Sequence, residues 1–254
     1  MFAVALCGLF VLGACQPTPD RSADSETDHF AHIQDTFARS VLVRVIAQAG
    51  GLEKWQSIQS LDFQKFALLY DSTGKKEEEV LQIVQYQLPP NEEVVISWRE
   101  NGASHQLTTQ QGQAVKTVDG KPDTAASQQS LLQSIQQTTF VIGIPFKLLD
   151  KEVKVTYAGI DTLESGLVVQ VLEVNYPSVQ GADTWWHYFA QNDYSQAGYL
   201  VQHADHYSYV KNDRTTVVEG ITFPVERSSY RLGENGEIEY LSAKYQYQDF
   251  RVTF

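Results

Sequence analysis

From Ser60 onward, apolar residues recur at every second position and are interrupted by short polar turns, a pattern that few architectures other than a sheet can satisfy. Leu61, Phe63, Ala67 and Leu69 alternate with mostly polar residues, and so do Val80, Val84 and Tyr86. Val94, Ile96 and Trp98 share one face of a further strand. Between these runs stand Asp71-Ser72-Thr73-Gly74, Pro89-Pro90-Asn91, Glu100-Asn101-Gly102 and Asp119-Gly120. Asn-Gly and Asp-Gly favour tight hairpins because both residues tolerate positive φ. After an interruption, strands resume over about 152–158, 166–175, 184–190, 197–210, 214–220, 224–232 and 238–247, the last two joined by a turn at Gly233-Glu234-Asn235-Gly236. The spacing predicts about eleven strands, antiparallel because no βαβ alternation appears.

Three segments depart from the two-residue period. Phe30, Ile33, Phe37, Val41 and Val45, supported by Leu42 and Ile46, follow helical spacing, with Asp28 as N-cap and Gly50-Gly51 as the stop. A short helix over Leu52–Ile58 carries Trp55. The stretch Asp123–Thr138 holds Leu131, Leu132 and Ile135 among Gln and Ser and reads as a helix crossing the sheet, followed at Phe140–Leu149 by an apolar loop or short strand. A meander of this length curls rather than lying flat, and amphipathic helices must cover its inner face. The fold class is therefore mainly β (α+β): a curved antiparallel half-barrel with helices on the concave side. The chain has 12 Phe, 13 Tyr and 4 Trp. The expected lining of the hollow is Trp55, Phe63, Trp98 and Phe146, together with Trp185, Trp186 and Tyr188. The same rings could instead fill the hollow as core.

The beginning of the chain has a different logic. Met1–Ala14 is uncharged and apolar, too short for the roughly 20 residues of a membrane helix and of signal-peptide length. Leu12-Gly13-Ala14-Cys15 looks like a bacterial lipobox, with small residues before a thiol that accepts a diacylglyceryl group. No Lys or Arg precedes the run, so the natural start is expected further upstream; the competing reading is an ordinary cleaved signal peptide with an incidental cysteine. Gln16 in place of Asp after the cysteine, by resemblance to the best-known lipoprotein sorting rule, favours the outer membrane. The polar, proline-containing stretch to Asp28 reads as a tether with a reach of roughly 20 Å. The expected organisation is a signal peptide over 1–14, a lipidated cysteine and tether over 15–28, and one domain over 29–254. Both cysteines, Cys7 and Cys15, precede that domain, which excludes a disulfide or thiolate metal site within it. A net charge of −12 excludes nucleic acid as a partner, since phosphate binding needs clustered Lys and Arg.

Reactive constellations are sparse. His203, Asp205 and His206 form the best metal candidate, with His187 as a conceivable further ligand, but on a straight strand 206 points away from 203 and 205. No metal or other cofactor is expected. No nucleophile elbow, phosphate loop or dinucleotide fingerprint appears. The expectation is a binding module and not an enzyme.

The run Ala47-Gln48-Ala49-Gly50-Gly51-Leu52-Glu53-Lys54-Trp55, with Ile58 and Leu61-Asp62-Phe63, resembles the opening of an uncharacterised family of bacterial envelope lipoproteins. Gly143-Ile144-Pro145-Phe146-Lys147-Leu148-Leu149, Trp185-Trp186-His187-Tyr188-Phe189 and Gly220-Ile221-Thr222-Phe223-Pro224 match it in the same order. That family in turn resembles the outer-membrane lipoprotein carrier and receptor proteins (LolA/LolB-like), whose fold is an open half-barrel with a helical lid. The resemblance implies a hydrophobic pocket. Together with the lipobox, the expectation is a lipid-anchored envelope protein, on the outer membrane and facing the periplasm, that holds an acyl chain or other hydrophobic ligand and works in lipid or lipoprotein transport. The alternative is a structural lipoprotein that binds another envelope protein and no small molecule.

Overall fold

The computed structural model describes residues 29–90, 92–110, 112–176, 183–233 and 235–254. The leader, Cys15 and the tether lie outside the described residues. The first half of the chain forms helices α1 (Thr36–Gln48) and α2 (Leu52–Gln56), then strands β1 (Ser60–Tyr70), β2 (Lys76–Gln87), β3 (Glu93–Glu100), β4 (Ala103–Gln110), β5 (Gln113–Val118) and β6 (Lys121–Asp123). Helix α3 (Gln128–Gly143) and a 3-10 turn (Phe146–Leu149) lead to β7 (Lys154–Thr162), β8 (Val168–Asn175), β9 (Thr184–Ala190) and β10 (Gln196–Gln202). Strands β11 (Tyr207–Val218), β12 (Ile221–Leu232) and β13 (Ile238–Thr253) complete the chain.

All thirteen strands join one antiparallel sheet in the order β6-β5-β4-β3-β2-β1-β13-β12-β11-β10-β9-β8-β7. Two meanders thus meet where β1 pairs with β13, and the sheet is curved but open, with β6 and β7 as its edges. The strands beyond the expected eleven lie in the first half of the chain, β1 to β6; in the second half the number is as expected but the division differs, because residues 197–210 are not one strand. The chain reverses at His203–His206, where His203 N–H donates to the His206 carbonyl at 2.8 Å, without the glycine that would have marked a turn. The polar Lys211-Asn212-Asp213, read as a break between strands, is instead a bulge inside β11.

The apolar stripe of α1 is Ala38, Val41, Leu42, Val45 and Ile46, which seals the concave face. Phe37 is not part of it. The helix begins at Thr36, capped by Asp35, so Phe30 and Ile33 are buried in the preceding turn while Phe37 is 70% exposed and stacks on Tyr157. At its other end the chain turns through Gly50, whose φ of 119° and close approach to the Gly220 carbonyl leave no room for a side chain. Thr222 N–H donates to the Ala49 carbonyl at 2.9 Å there, pinning the helix end to the β11–β12 hairpin.

Helix α3 starts later and runs further than expected, absorbing Phe140 to Gly143, and Phe146–Leu149 is a 3-10 turn and neither loop nor strand. Thr138, Thr139, Val141 and Ile142 suggest strand by propensity, but the cost of β-branched residues in a helix is small and burial outweighs it. The Thr138 and Thr139 hydroxyls donate to the carbonyls of Ser134 and Ile135, each at 3.1 Å, so neither is left unpaired below the lid.

Both sheet edges are tied to helix N-termini by side chains. Asp35 Oδ1 accepts from Phe37 and Ala38 N–H, and its Oδ2 accepts from Tyr157 N–H on the β7 edge at 2.9 Å. Toward the opposite edge, where the three-residue β6 leaves the start of β5 uncovered, the Gln128 amide imitates a further strand: its oxygen accepts from Ala114 N–H at 3.0 Å and its nitrogen donates to the Ala114 carbonyl at 2.6 Å. Exposed edges invite association with other chains, and these contacts occupy them. Hydrogen bonds from Tyr157 first, then Ala38, hold the Asp35 carboxyl below its ordinary value of 3.8, against burial. Its contribution is therefore full above that value and is lost as the pH falls through the lowered folded one. Asp35→Ala is expected to cost about 1–2 kcal/mol in urea unfolding at neutral pH. Asp35→Asn keeps one oxygen for the cap and loses the acceptor for Tyr157 N–H, so it should cost less; equal costs would show that the cap oxygen by itself contributes nothing.

Candidate ligand-binding cleft

The α3–3-10 segment connects the two halves of the sheet by passing from the β6 edge to the β7 edge, so it bridges the mouth of the half-barrel. Below it the inner face is not fully packed. A cleft of about 1020 Å³ lies between α3 and the concave sides of β1, β13, β12, β11, β10 and β9. One wall is aromatic. Phe140 on the lid meets Tyr176 edge-on at 4.9 Å and Trp185 at 5.6 Å, and Trp185 packs on Tyr199 at 5.1 Å. Val201, Val210 and Leu132 extend the apolar surface. The Trp185 indole N–H lies in this wall without a hydrogen-bond partner.

The floor is polar. Lys65, Arg227, Tyr245 and Tyr247 line it. Arg227 is buried at 3% exposure; its Nε donates to Asn212 Oδ1 at 2.9 Å, and Asn212 is in turn held by donating to the Gln196 carbonyl at 2.9 Å. Burial pushes the Tyr247 phenol up to about 12, against the opposing pull of Arg227. Burial, then the Arg227 charge, pulls the Lys65 amine down to about 8, so it remains largely protonated at neutral pH. The rim carries paired groups: His203 with Asp183 at 3.0 Å, His206 with Asp205 at 2.7 Å, Lys147 with Asp150 at 3.7 Å, and Tyr86 with Glu92 at 2.8 Å.

The seven aromatic residues singled out by sequence fall in different places. Trp185 lines the cleft. Trp55 and Phe146 stack on each other at 4.5 Å, joining α2 to the 3-10 turn beside the cleft, and Phe63 is fully buried core against Phe250. Trp98 stacks on His105 at 5.1 Å and borders a separate, shallower depression with Leu81 and Ile83. Trp186 and Tyr188 alternate with Trp185 and His187, so they project from the convex face and pack with Val169, Val171, Leu200 and Tyr209. Sequence reading missed Lys65, Phe140, Tyr176, Tyr199, Arg227, Tyr245 and Tyr247. A signal existed for two of them: Lys65 falls in phase with Leu61 and Phe63, and Arg227 with Ile221, Phe223 and Val225, positions where the alternation calls for an apolar residue.

The His203-Ala204-Asp205-His206 segment is bent, and the rings of His203 and His206 lie 4.4 Å apart. Each imidazole is engaged by a different carboxylate, and among the described residues no group of three or more His, Cys, Asp or Glu is arranged to hold a metal ion. His187 is remote from this turn in role: it is fully buried and bonded through Nε2 to the Tyr176 hydroxyl at 2.9 Å.

The fold is shared with solved structures. A LolA superfamily protein from Nitrosomonas europaea superposes with a TM-score of 0.54 at 10% identity, covering 85% of this chain and 94% of its own. A DUF1329 family protein from Desulfovibrio piger gives 0.53 at 10% identity, covering 85% and 92%. A putative outer membrane lipoprotein-sorting protein domain from Vibrio parahaemolyticus gives 0.50 at 8% identity, covering 84% and 91%. The fold is therefore LolA/LolB-like, an open half-barrel with a helical lid. No protein-family model and no curated protein matches the chain in sequence. Among the described residues no helix is long and apolar enough to cross a membrane.

Burial, reinforced by the Arg227 charge, pulls the His187 imidazole from 6.5 down to about 3. The unfolded chain takes up a proton below pH 6.5 that the folded protein refuses until about pH 3, so stability is lost as the pH falls through that window. Between pH 6.5 and 5 this one group should cost about 2 kcal/mol. Equilibrium unfolding at the two pH values is expected to show the loss in the wild type and much less of it in His187→Phe; an unchanged pH dependence would mean His187 protonates freely in the folded state.

Proposed function

We propose that this chain is a binding protein of the bacterial envelope that holds a lipid or similar amphiphile in the cleft beneath α3, and that it works in lipid or lipoprotein transport rather than as an enzyme. The observation that carries the reading is the cleft itself, an aromatic-walled volume of about 1020 Å³ left open where side chains would otherwise meet. Burying about 15 methylenes of an acyl chain there would gain roughly 12 kcal/mol gross, from which association and ordering subtract a large part. The similarity of fold to a lipoprotein-sorting domain supports the same class of ligand. Acylation of Cys15 would hold the domain at a membrane, on the outer membrane facing the periplasm, since two or more acyl chains give stable attachment.

A second reading has its own observation. Leu81 and Ile83 on β2 and Val115 on β5 are large, exposed and apolar, as a surface that meets another envelope protein would be. The two readings separate by direct measurement. Organic extraction of the purified protein followed by mass spectrometry is expected to release a co-purifying amphiphile. Ser208→Trp, which places an indole in the cleft, should reduce its recovery at least tenfold while the protein stays folded by circular dichroism. Recovery equal to that of a non-binding control protein would defeat the carrier reading.

A further inference from the structure

The polar floor of the cleft holds two cations without a counter-ion, a feature that capture of a purely apolar guest does not require. Lys65 stands opposite Tyr247 across the β1–β13 pairing, and Arg227 stands opposite Tyr245 across β12–β13. One strand and a two-residue offset along it separate them, about 12 Å between backbones at ordinary strand spacing, and both side chains line the same cleft. Among the described residues neither forms an ion pair; Lys65 Nζ lies over the Tyr245 ring at 5.6 Å, and the Arg227 guanidinium, besides meeting Asn212, lies over the Tyr199 ring at 5.0 Å. The phenol oxygens of Tyr199 and Tyr247 lie beside the guanidinium.

Carboxylates are near but engaged elsewhere. Glu92, Asp150, Asp183 and Asp205 also line the cleft, and each already faces Tyr86, Lys147, His203 or His206 at the rim. In a protein of net charge −12, leaving a buried and a half-buried cation unpaired side by side is costly, because like charges repel and neither keeps its full hydration. An anion between them would remove that cost and accept charge-assisted hydrogen bonds from both. A phenol oxygen that accepts from Arg227 still has its proton to donate to the same anion. The Asn212–Gln196 support fixes the guanidinium before any ligand arrives, as a built site requires.

We propose that Lys65 and Arg227 bind the anionic head group, a carboxylate or a phosphate, of an amphiphile whose chain lies along the Phe140, Tyr176 and Trp185 wall. This rests on the carrier reading and names its ligand class. The test is titration calorimetry of the purified, delipidated protein with decanoate, decyl phosphate, decanol and inorganic phosphate. Lys65 is the residue to change, because it makes no hydrogen bond that the fold needs. Decanoate and decyl phosphate are expected to bind at least tenfold more tightly than decanol. Lys65→Gln should collapse that ratio and Lys65→Arg should restore it. Equal affinity for the three decyl compounds, with Lys65→Gln without effect on their ratio, would overturn the head-group assignment and leave the carrier reading standing. Inorganic phosphate binding as tightly as decyl phosphate would overturn it in favour of a free anion. Failure of all three decyl compounds to bind would remove both.

Discussion

An open antiparallel sheet of thirteen strands has one concave face and two unpaired edges, and the described residues offer three helices and a 3-10 turn with which to cover them. Most of the architecture follows from how that is done. The curvature brings the edges toward each other, and the connection between the two meanders must pass from one edge to the other, so it becomes the lid. Asp35 and Gln128 then do at each edge what another strand would do, satisfying backbone groups with side-chain oxygens and nitrogens. A side chain terminates the ladder, whereas a strand would extend it.

The helices do not fill the hollow they cover. Helix α1 and the lid supply aliphatic stripes that pack well over the near-continuous core of Leu42, Ile46, Phe63, Phe223 and their neighbours. Around the cleft the residues facing inward from β9 to β13 include Trp185, Tyr199, Arg227, Tyr245 and Tyr247, long side chains that meet through ring contacts and hydrogen bonds. Closing this space would bury Lys65 and Arg227 against apolar atoms with no opposite charge to meet them. The polar floor is thus also the physical reason that a cleft persists, since collapse would desolvate two cations for little gain in packing.

Much of the sheet was legible because hairpin chemistry is local. Asn101-Gly102 and Asp119-Gly120 adopt the positive φ that their types predict, and the strands on either side follow. The reversal at His203–His206 was hidden because Ala204-Asp205 carries no such marker, and the bulge at Asn212 resembled a turn because both need polar residues off the regular ladder. Phe140 to Gly143 looked extended by propensity, and only its burial under the lid reveals the helix. Trp186 and Tyr188 show the hardest case: alternation states that they share a face, but which face is concave depends on strands far away in sequence.

By itself the sequence determined that the chain would be a curved antiparallel sheet with few helices and no cysteine after residue 15, because periodicity, turn chemistry and cysteine positions are all properties of composition and short-range order. Tertiary structure alone decided that α3 spans the mouth, that Trp185 faces the cleft while Trp186 faces away, and that Lys65 and Arg227 become neighbours. These residues are more than a hundred positions apart in the chain, and they meet because β13 closes on β1, a pairing that no local pattern encodes.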